Sequence, residues 1–115
     1  MGKRSRTKGL AFERECAALL REIPGATAER SLTETRDGNT GDLVNNLGLA
    51  IQCKCGALPP IWTGLEEAIA DGESKGHVPV LMARRNRAGA RAKADVVVMR
   101  TADWLELLRR AQCAA

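Results

Sequence analysis

An acid, an amide and a lysine lie close together near the middle of the sequence. Asp42 precedes a short apolar stretch, and Gln52 and Lys54 follow the turn-forming segment 45–48. Hydrolysis of a phosphodiester needs a positioned water and neutralisation of the charge that builds on the phosphate oxygens. Bound Mg²⁺ can supply both, and it prefers oxygen ligands such as carboxylates. These residue types at this spacing therefore indicate metal-dependent hydrolysis of a phosphodiester.

Each of these residues has a role that its chemistry suggests. Asp42 can offer a carboxylate, Gln52 an amide oxygen and Cys53 a backbone carbonyl on the same strand edge. Because side chains alternate across a strand, Gln52 and Lys54 share one face while their apolar neighbours share the other, which we expect to face the core. Lys54 can hold the attacking water or offset charge in the transition state. An exposed hairpin with ordinary polar residues would show the same spacing.

The elements that must position these residues follow from periodicity and turn signals. Apolar residues at spacings of three and four predict a helix over 8–23, which Pro24-Gly25 ends. A loop rich in Thr, Asp, Gly and Asn covers 33–40. Prolines 59 and 60 mark a break before the second helix. The expected strands are 26–32, 42–45, 49–55, 78–84 and 95–100, and the later helices are 65–74 and a final one after Thr101.

The predicted order is α-β-β-β-α-β-β-α, an α/β chain of the α+β sandwich type. We expect a central mixed sheet of about five strands flanked by helices. Residues 1–7 are expected to be a flexible basic arm, and 8–115 a single domain. The apolar stripe of the last helix predicts a core face, and Trp62 is expected to pack on the sheet or at a subunit interface. Trp104, Leu105, Leu107 and Leu108 form that stripe.

Composition limits the classes of function. Aromatic residues make up 3% of the 115 residues and Tyr is absent, which disfavours single-strand binding by base stacking. No apolar run is long enough to span a bilayer, and no signal segment follows the first charges. The four cysteines show no CxxC spacing, which fits reduced thiols. We therefore expect a soluble cytoplasmic protein without a membrane partner or a small-molecule cofactor.

The formal net charge is +4, and the basic residues are concentrated in two clusters. Such clusters suit a phosphate backbone, where counterion release drives binding. A solvated tail and a solvated loop would give the same charge pattern. Lys3, Arg4, Arg6 and Lys8 form the first cluster, and Arg84, Arg85, Arg87, Arg91 and Lys93 form the second.

With these residues in view, the chain resembles a known group of enzymes. The hairpin with Asp42, Gln52 and Lys54 resembles that of the PD-(D/E)-x-K nuclease superfamily. The segment 8–15, Lys-Gly-Leu-Ala-Phe-Glu-Arg-Glu, resembles the opening helix of archaeal and phage Holliday-junction resolvases. The resemblance covers most of 8–100 and implies a restriction-endonuclease-like fold. It makes Glu13 a metal ligand from the first helix, whereas helical geometry alone does not choose between Glu13 and Glu15.

The resemblance also assigns the remaining residues of the site. Asp42 becomes the central metal ligand, Gln52 replaces the usual Glu or Asp, and Lys54 is the lysine of the motif. Arg30 and Ser31 resemble a segment that lies near the scissile phosphate. The neutral Gln52 removes one negative charge, which should weaken cation binding or limit the number of metals.

The expected activity is that of a Mg²⁺-dependent endodeoxyribonuclease, in which Mn²⁺ substitutes for Mg²⁺. The resemblance implies a Holliday-junction resolvase that binds branched DNA in recombination and repair, in a prokaryotic cell or a phage-infected host. Symmetric cutting of two strands needs two sites, which a homodimer supplies. Two alternatives stay open: a restriction- or repair-type nuclease acting on other DNA structures, and a DNA-binding module with a weak or inactive site.

Overall fold

The computed structural model describes residues 3–31, 43–85 and 94–114, without the side chains of 3–8 and 94. Its order of elements is the predicted one, α-β-β-β-α-β-β-α, which confirms the α+β class. The elements are α1 (Lys3–Arg21), β1 (Ala28–Arg30), β2 (Leu43–Asn45), β3 (Leu49–Gly56), α2 (Ile61–Lys75), β4 (Val78–Arg85), β5 (Ala94–Val98) and α3 (Thr101–Ala114).

The strands form one mixed sheet with the order β1-β2-β3-β4-β5. Neighbouring strands are antiparallel, except for β3 and β4, which are parallel. A parallel pair needs a crossover connection, and α2 provides it between β3 and β4. The expectation of a mixed five-stranded sheet is thereby confirmed.

Two helices begin earlier than the apolar pattern indicates. α1 begins at Lys3 rather than at residue 8. Its first residues lack proline and include lysine and arginine, which are good helix formers, whereas apolar periodicity marks only the part that packs. α2 begins at Ile61, directly after Pro60. The carbonyl of Pro60 accepts a hydrogen bond from the Gly64 N–H at 2.9 Å. Pro60 is therefore the N-cap of α2, and no loop separates it from the helix.

One face of the sheet is covered by α1. Phe12, Cys16 and Ala17 of α1 are buried in the hydrophobic core together with Ile51 of β3. Cys53 also packs against this core from the same side of β3. The apolar face of β3 is therefore the one that meets α1, as alternation predicts.

The other face of the sheet is covered by α2, whose glycines allow a very close approach. A Cβ added to Gly72 would lie 2.5 Å from the carbonyl oxygen of His77 and 3.5 Å from the Cβ of Ala50. One added to Gly64 would lie 2.8 Å from Leu81 Cδ1. Because any larger residue would meet these atoms, the two glycines set the distance between α2 and the sheet.

The expectation that α3 packs in the core is wrong. None of its described residues is buried, and Trp104 and Leu107 are 50% and 55% exposed. Helices α1 and α2 make the main helix contacts with the sheet, whereas α3 follows the edge strand β5 in the chain. Trp62 is 76% exposed and does not pack on the sheet either.

Among the described residues, no helix combines the length and apolar character needed to cross a membrane. None of the four cysteines is in a disulfide, and Cys16 is buried in the core.

Candidate functional site

Gln52 and Lys54 lie on the face of β3 that meets α2. Ala50, two residues before Gln52, approaches Gly72 of α2, and the Cγ of Lys54 would lie 3.1 Å from a Cβ on Gly64. The prediction that the two polar side chains share a face is confirmed. However, the expectation that both point away from the core is wrong for Gln52, which is 4% exposed because α2 covers it.

Lys54 forms an ion pair with α2 at this face. Its Nζ lies 2.8 Å from Oε2 of Glu67, and the two side chains are 27% and 42% exposed. From the predicted helix 65–74, Glu67 is expected near a helix N-terminus, where an acid favourably meets the helix dipole, so sequence reasoning misses this partner. α2 begins at Ile61, so Glu67 is not in its first turn. The available signal is Gly64, since a glycine inside a helical pattern often marks a close approach of the backbone. Glu67 lies one helical turn beyond that glycine.

Glu13 lies on the opposite side of the sheet, where α1 packs. Its Oε2 is 3.4 Å from Nε of Arg30, the last residue of β1. Ser31 follows Arg30 directly and is half-buried. The structure therefore groups three predicted site residues, Glu13, Arg30 and Ser31, at the end of β1.

Glu15, the alternative helix acid, has a different partner. It forms an ion pair with Arg84 of β4. Arg84 also donates two hydrogen bonds to Asp95, at 2.6 and 2.8 Å, and its guanidinium lies 4.8 Å from the centre of the Phe12 ring. The hydrogen bonds that Arg84 donates to Asp95, and to a lesser extent the one to Glu15, raise the pKa of Arg84 above its ordinary value against the opposing effect of burial. Glu15 therefore belongs to a cluster that ties α1 to β4 and β5.

The central predicted ligand, Asp42, lies outside the described residues. Its chain neighbour Leu43 is the register partner of Ile51, and Gln52 is the chain neighbour of Ile51. Among the described residues, the part of β3 after Ile51 has a register partner on β4 but none on β2. This part of β3, 52–56, carries both Gln52 and Lys54 and is called the open edge below.

The predicted DNA-binding residues are described to different extents. Four of them, Lys3, Arg4, Arg6 and Lys8, lie on the first turns of α1 without described side chains. Arg87, Arg91 and Lys93 lie outside the described residues. Arg85 is exposed and donates a hydrogen bond from Nε to the carbonyl of Ala57 at 3.2 Å. The side chain of Arg84 is only 11% exposed and already pairs with the carboxylates of Glu15 and Asp95.

Within 3–31, 43–85 and 94–114, no group of three or more His, Cys, Asp or Glu residues is arranged to hold a metal ion. Of the predicted side-chain oxygen ligands, Glu13 and Gln52 lie within these ranges. Their chemistry suits Mg²⁺, but one approaches from the α1 side of the sheet and the other from the α2 side. They could share an ion only at the open edge, where Asp42 would have to complete the set.

A second polar cluster lies away from the open edge, near the C-terminus of α2. Asp71 is 2% exposed and its Oδ1 is 2.9 Å from Nζ of Lys75. Both residues line a cavity of about 200 Å³ together with His77 and Asn45. Lys75 neutralises the buried carboxylate, yet neither carboxylate oxygen of Asp71 accepts a hydrogen bond from the described residues.

No protein-family model matches the sequence, and no curated protein matches it significantly.

Proposed function

We propose that the chain is a metal-dependent endodeoxyribonuclease of restriction-endonuclease-like fold that cuts branched DNA, like the Holliday-junction resolvases it resembles. The observation that carries this proposal is the register of β2 and β3. Because Leu43 is opposite Ile51, continuation of that pairing by one residue would bring Asp42 to Gln52. Lys54 lies on the same face of β3, which gives an acid, an amide and a lysine at one edge.

Asp42, Gln52 and the backbone carbonyl of Cys53 would hold Mg²⁺, with Glu13 reaching the open edge from α1. When bound, the cation supplies an activated water and charge neutralisation at the phosphate. Lys54 would position the water and offset charge on the phosphate oxygens in the transition state. The water attacks phosphorus, the bond to the leaving oxygen breaks, and that oxygen takes up a proton.

The neutral side chain of Gln52 has a consequence for metal affinity. Each carboxylate in a Mg²⁺ site contributes a full negative charge, whereas an amide contributes only a dipole. Burial of Gln52 under α2 keeps its position fixed but does not replace that charge. We therefore expect weaker cation binding than in a site with three carboxylates, and activity with Mn²⁺ as well as Mg²⁺.

DNA binding would use Arg85 and the two basic clusters. The exposed Arg85 lies on β4 opposite Gly56, which is the last residue of the open edge, because β3 and β4 pair in parallel. The basic clusters at 3–8 and 85–93 would neutralise phosphates. Arg84 contributes less to this surface, because Asp95 and Glu15 already hold it. Two copies of the chain would supply the two sites that symmetric cutting requires.

The substrate class is tested with a panel of labelled DNAs: a four-way junction, a flap, a linear duplex and a single strand, each with Mg²⁺ or Mn²⁺. We expect preferred cleavage of the junction by the wild type and none by Lys54→Ala. Glu66→Gln is the matched control. Glu66 is an exposed residue of α2, next to Glu67, which contacts Lys54. Preferred cleavage of flaps or duplex would favour a repair- or restriction-type nuclease.

A binding module without catalysis is the remaining alternative. It would show no cleavage with either metal, but its affinity for the junction would fall steeply as salt is raised. Measuring cleavage and binding on the same protein preparation therefore separates the two functions.

A further inference from the structure

The two most exposed large apolar side chains among the described residues lie close together in the chain, directly after β3. Leu58 is 82% exposed and Trp62 is 76% exposed. Tryptophan is highly buried on average in folded proteins. Isolated exposed apolar residues are ordinary, but a group of them marks a binding surface. Leu58 and Trp62 are called the apolar pair below.

The backbone that carries the apolar pair is held in place. Arg85 donates a hydrogen bond from Nε to the carbonyl of Ala57 at 3.2 Å, which ties this connection to the end of β4. The two prolines that follow Leu58 restrict the backbone angle φ. Trp62 is the second residue of α2. A ligand of the apolar pair therefore has little backbone to order, which favours affinity.

The indole of Trp62 is on the outer side of α2. A Cβ on Gly64 would meet Leu81 and Lys54, so Gly64 marks the side of α2 that faces the sheet. Two residues along an α-helix correspond to a rotation of about 200°, which places Trp62 on the opposite side. The indole therefore faces solvent and is available to another molecule.

The charges around the apolar pair suit a polyanion. The sequence contains no Asp or Glu over 43–65. Arg85 is exposed, pairs with no carboxylate among the described residues, and is the first residue of the basic segment 85–93. The first acid along the chain, Glu66, lies one helical turn beyond Trp62 and limits the acid-free surface to the start of α2. Charge complementarity therefore favours a nucleic acid over a protein partner.

An indole beside an exposed guanidinium fits a single nucleotide. The indole ring stacks on the face of any base, and arginine pairs with phosphate. Bases of an intact duplex are already stacked on their neighbours, so the indole finds a free face most readily where a base is unpaired. One indole contacts one base and not a run of bases, in agreement with the low aromatic content of the chain.

We propose that Leu58 and Trp62 bind an unpaired base of DNA, so that the protein prefers DNA with an unpaired base to fully paired duplex. The proposal rests on the proposed function for the choice of DNA as ligand, and it specifies which feature of the DNA is recognised. Because the connection 57–60 follows Gly56, the last residue of the open edge, the unpaired base would be held beside the candidate site.

The test measures binding in EDTA, so that it does not depend on cleavage. Two labelled DNAs are compared, a perfect duplex and the same duplex with one additional unpaired adenine. The wild type should bind the second DNA about 10-fold more tightly, and Trp62→Ala should lower this ratio to about 1. Trp62→Phe keeps an aromatic face and should retain part of the preference.

Trp104→Ala is the matched control, because it removes the other exposed tryptophan, and it should bind like the wild type. Circular dichroism should show unchanged helix content in all variants. Fluorescence of Trp104→Phe, in which Trp62 is the only indole, reports the contact directly. Stacking should quench this emission with the DNA that has the unpaired adenine, and less with the perfect duplex.

Three results would overturn the proposal: a wild type without the preference, an equal loss of preference in Trp104→Ala, or unquenched emission of Trp62. An equal preference for Trp62→Ala and the wild type would also overturn it, and would favour a protein partner for the apolar pair. Preference that depends on Trp62 without cleavage of any DNA would count against the proposed function alone. Cleavage and binding that are both independent of Trp62 would count against this contact alone.

Discussion

The helices α2 and α3 are of similar length and both carry an apolar stripe, yet the protein uses them differently. α2 buries Gly64, Leu65, Ala68, Asp71 and Gly72, whereas α3 buries no described residue. α2 crosses over between two parallel strands and must lie on the sheet. α3 follows the edge strand and has no such constraint. An apolar stripe therefore predicts that a helix has a packing partner, whereas the position of the helix in the chain determines which partner that is.

The largest expected difference is in unfolding free energy. Leu65→Ala removes a side chain that is 6% exposed and should destabilise the fold by about 2 to 5 kcal/mol. Leu107→Ala, in a residue that is 55% exposed, should change stability by less than about 0.5 kcal/mol. Urea denaturation at low protein concentration, where a dimer would be dissociated, measures both. Equal losses would mean that α3 is packed as firmly as α2.

The glycines sharpen the comparison by testing how closely α2 lies on the sheet. Gly72→Ala would place a Cβ 2.5 Å from the His77 carbonyl oxygen and should cost about 1 to 3 kcal/mol. Gly9→Ala in α1 meets no atom within 4 Å and should stabilise by about 0.5 to 1 kcal/mol, since alanine is the better helix former. Thermal unfolding of both variants should give shifts of opposite sign, and a tolerated Gly72→Ala would contradict the close packing of α2.

A smaller effect concerns the ion pair between α2 and β3. If Lys54 acts in hydrolysis, Glu67→Gln should lower the cleavage rate about threefold to tenfold, because the partner that holds Lys54 is weakened. Glu66→Gln changes the same charge on the neighbouring residue and should leave the rate unchanged. Equal cleavage rates for the two variants would show that Glu67 has no part in positioning Lys54.

The order of the elements and the faces of β3 could be predicted from the sequence. Apolar spacing, prolines and turn residues define local structure, and strand alternation separates Gln52 from Ile51. These signals are local, so they carry no information on which neighbour covers each face. For this reason the sequence predicts an exposed Gln52 and a buried Trp104, whereas Gln52 is buried under α2 and Trp104 is exposed.

The candidate site shows the same limit. Residue types at Asp42, Gln52 and Lys54 suggest the chemistry, but partner choice depends on contacts between distant elements. The pairing of Lys54 with Glu67, and of Glu15 with Arg84, needs the placement of α2 and α1 on opposite faces. Glu15 is paired with Arg84 and Glu13 with Arg30, so ion pairing does not choose between the two acids, and only the family resemblance favours Glu13 as the ligand.

The central claim is tested most directly by cleavage of a labelled four-way junction with Mg²⁺, comparing the wild type with Asp42→Asn. The substitution keeps the size of the side chain and removes the negative charge on which metal binding would depend. We expect metal-dependent cleavage by the wild type, and a rate at least about 100-fold lower for Asp42→Asn with junction binding retained. Equal cleavage by the two proteins, or no cleavage by the wild type with Mg²⁺ or Mn²⁺, would contradict a metal-dependent nuclease site at Asp42.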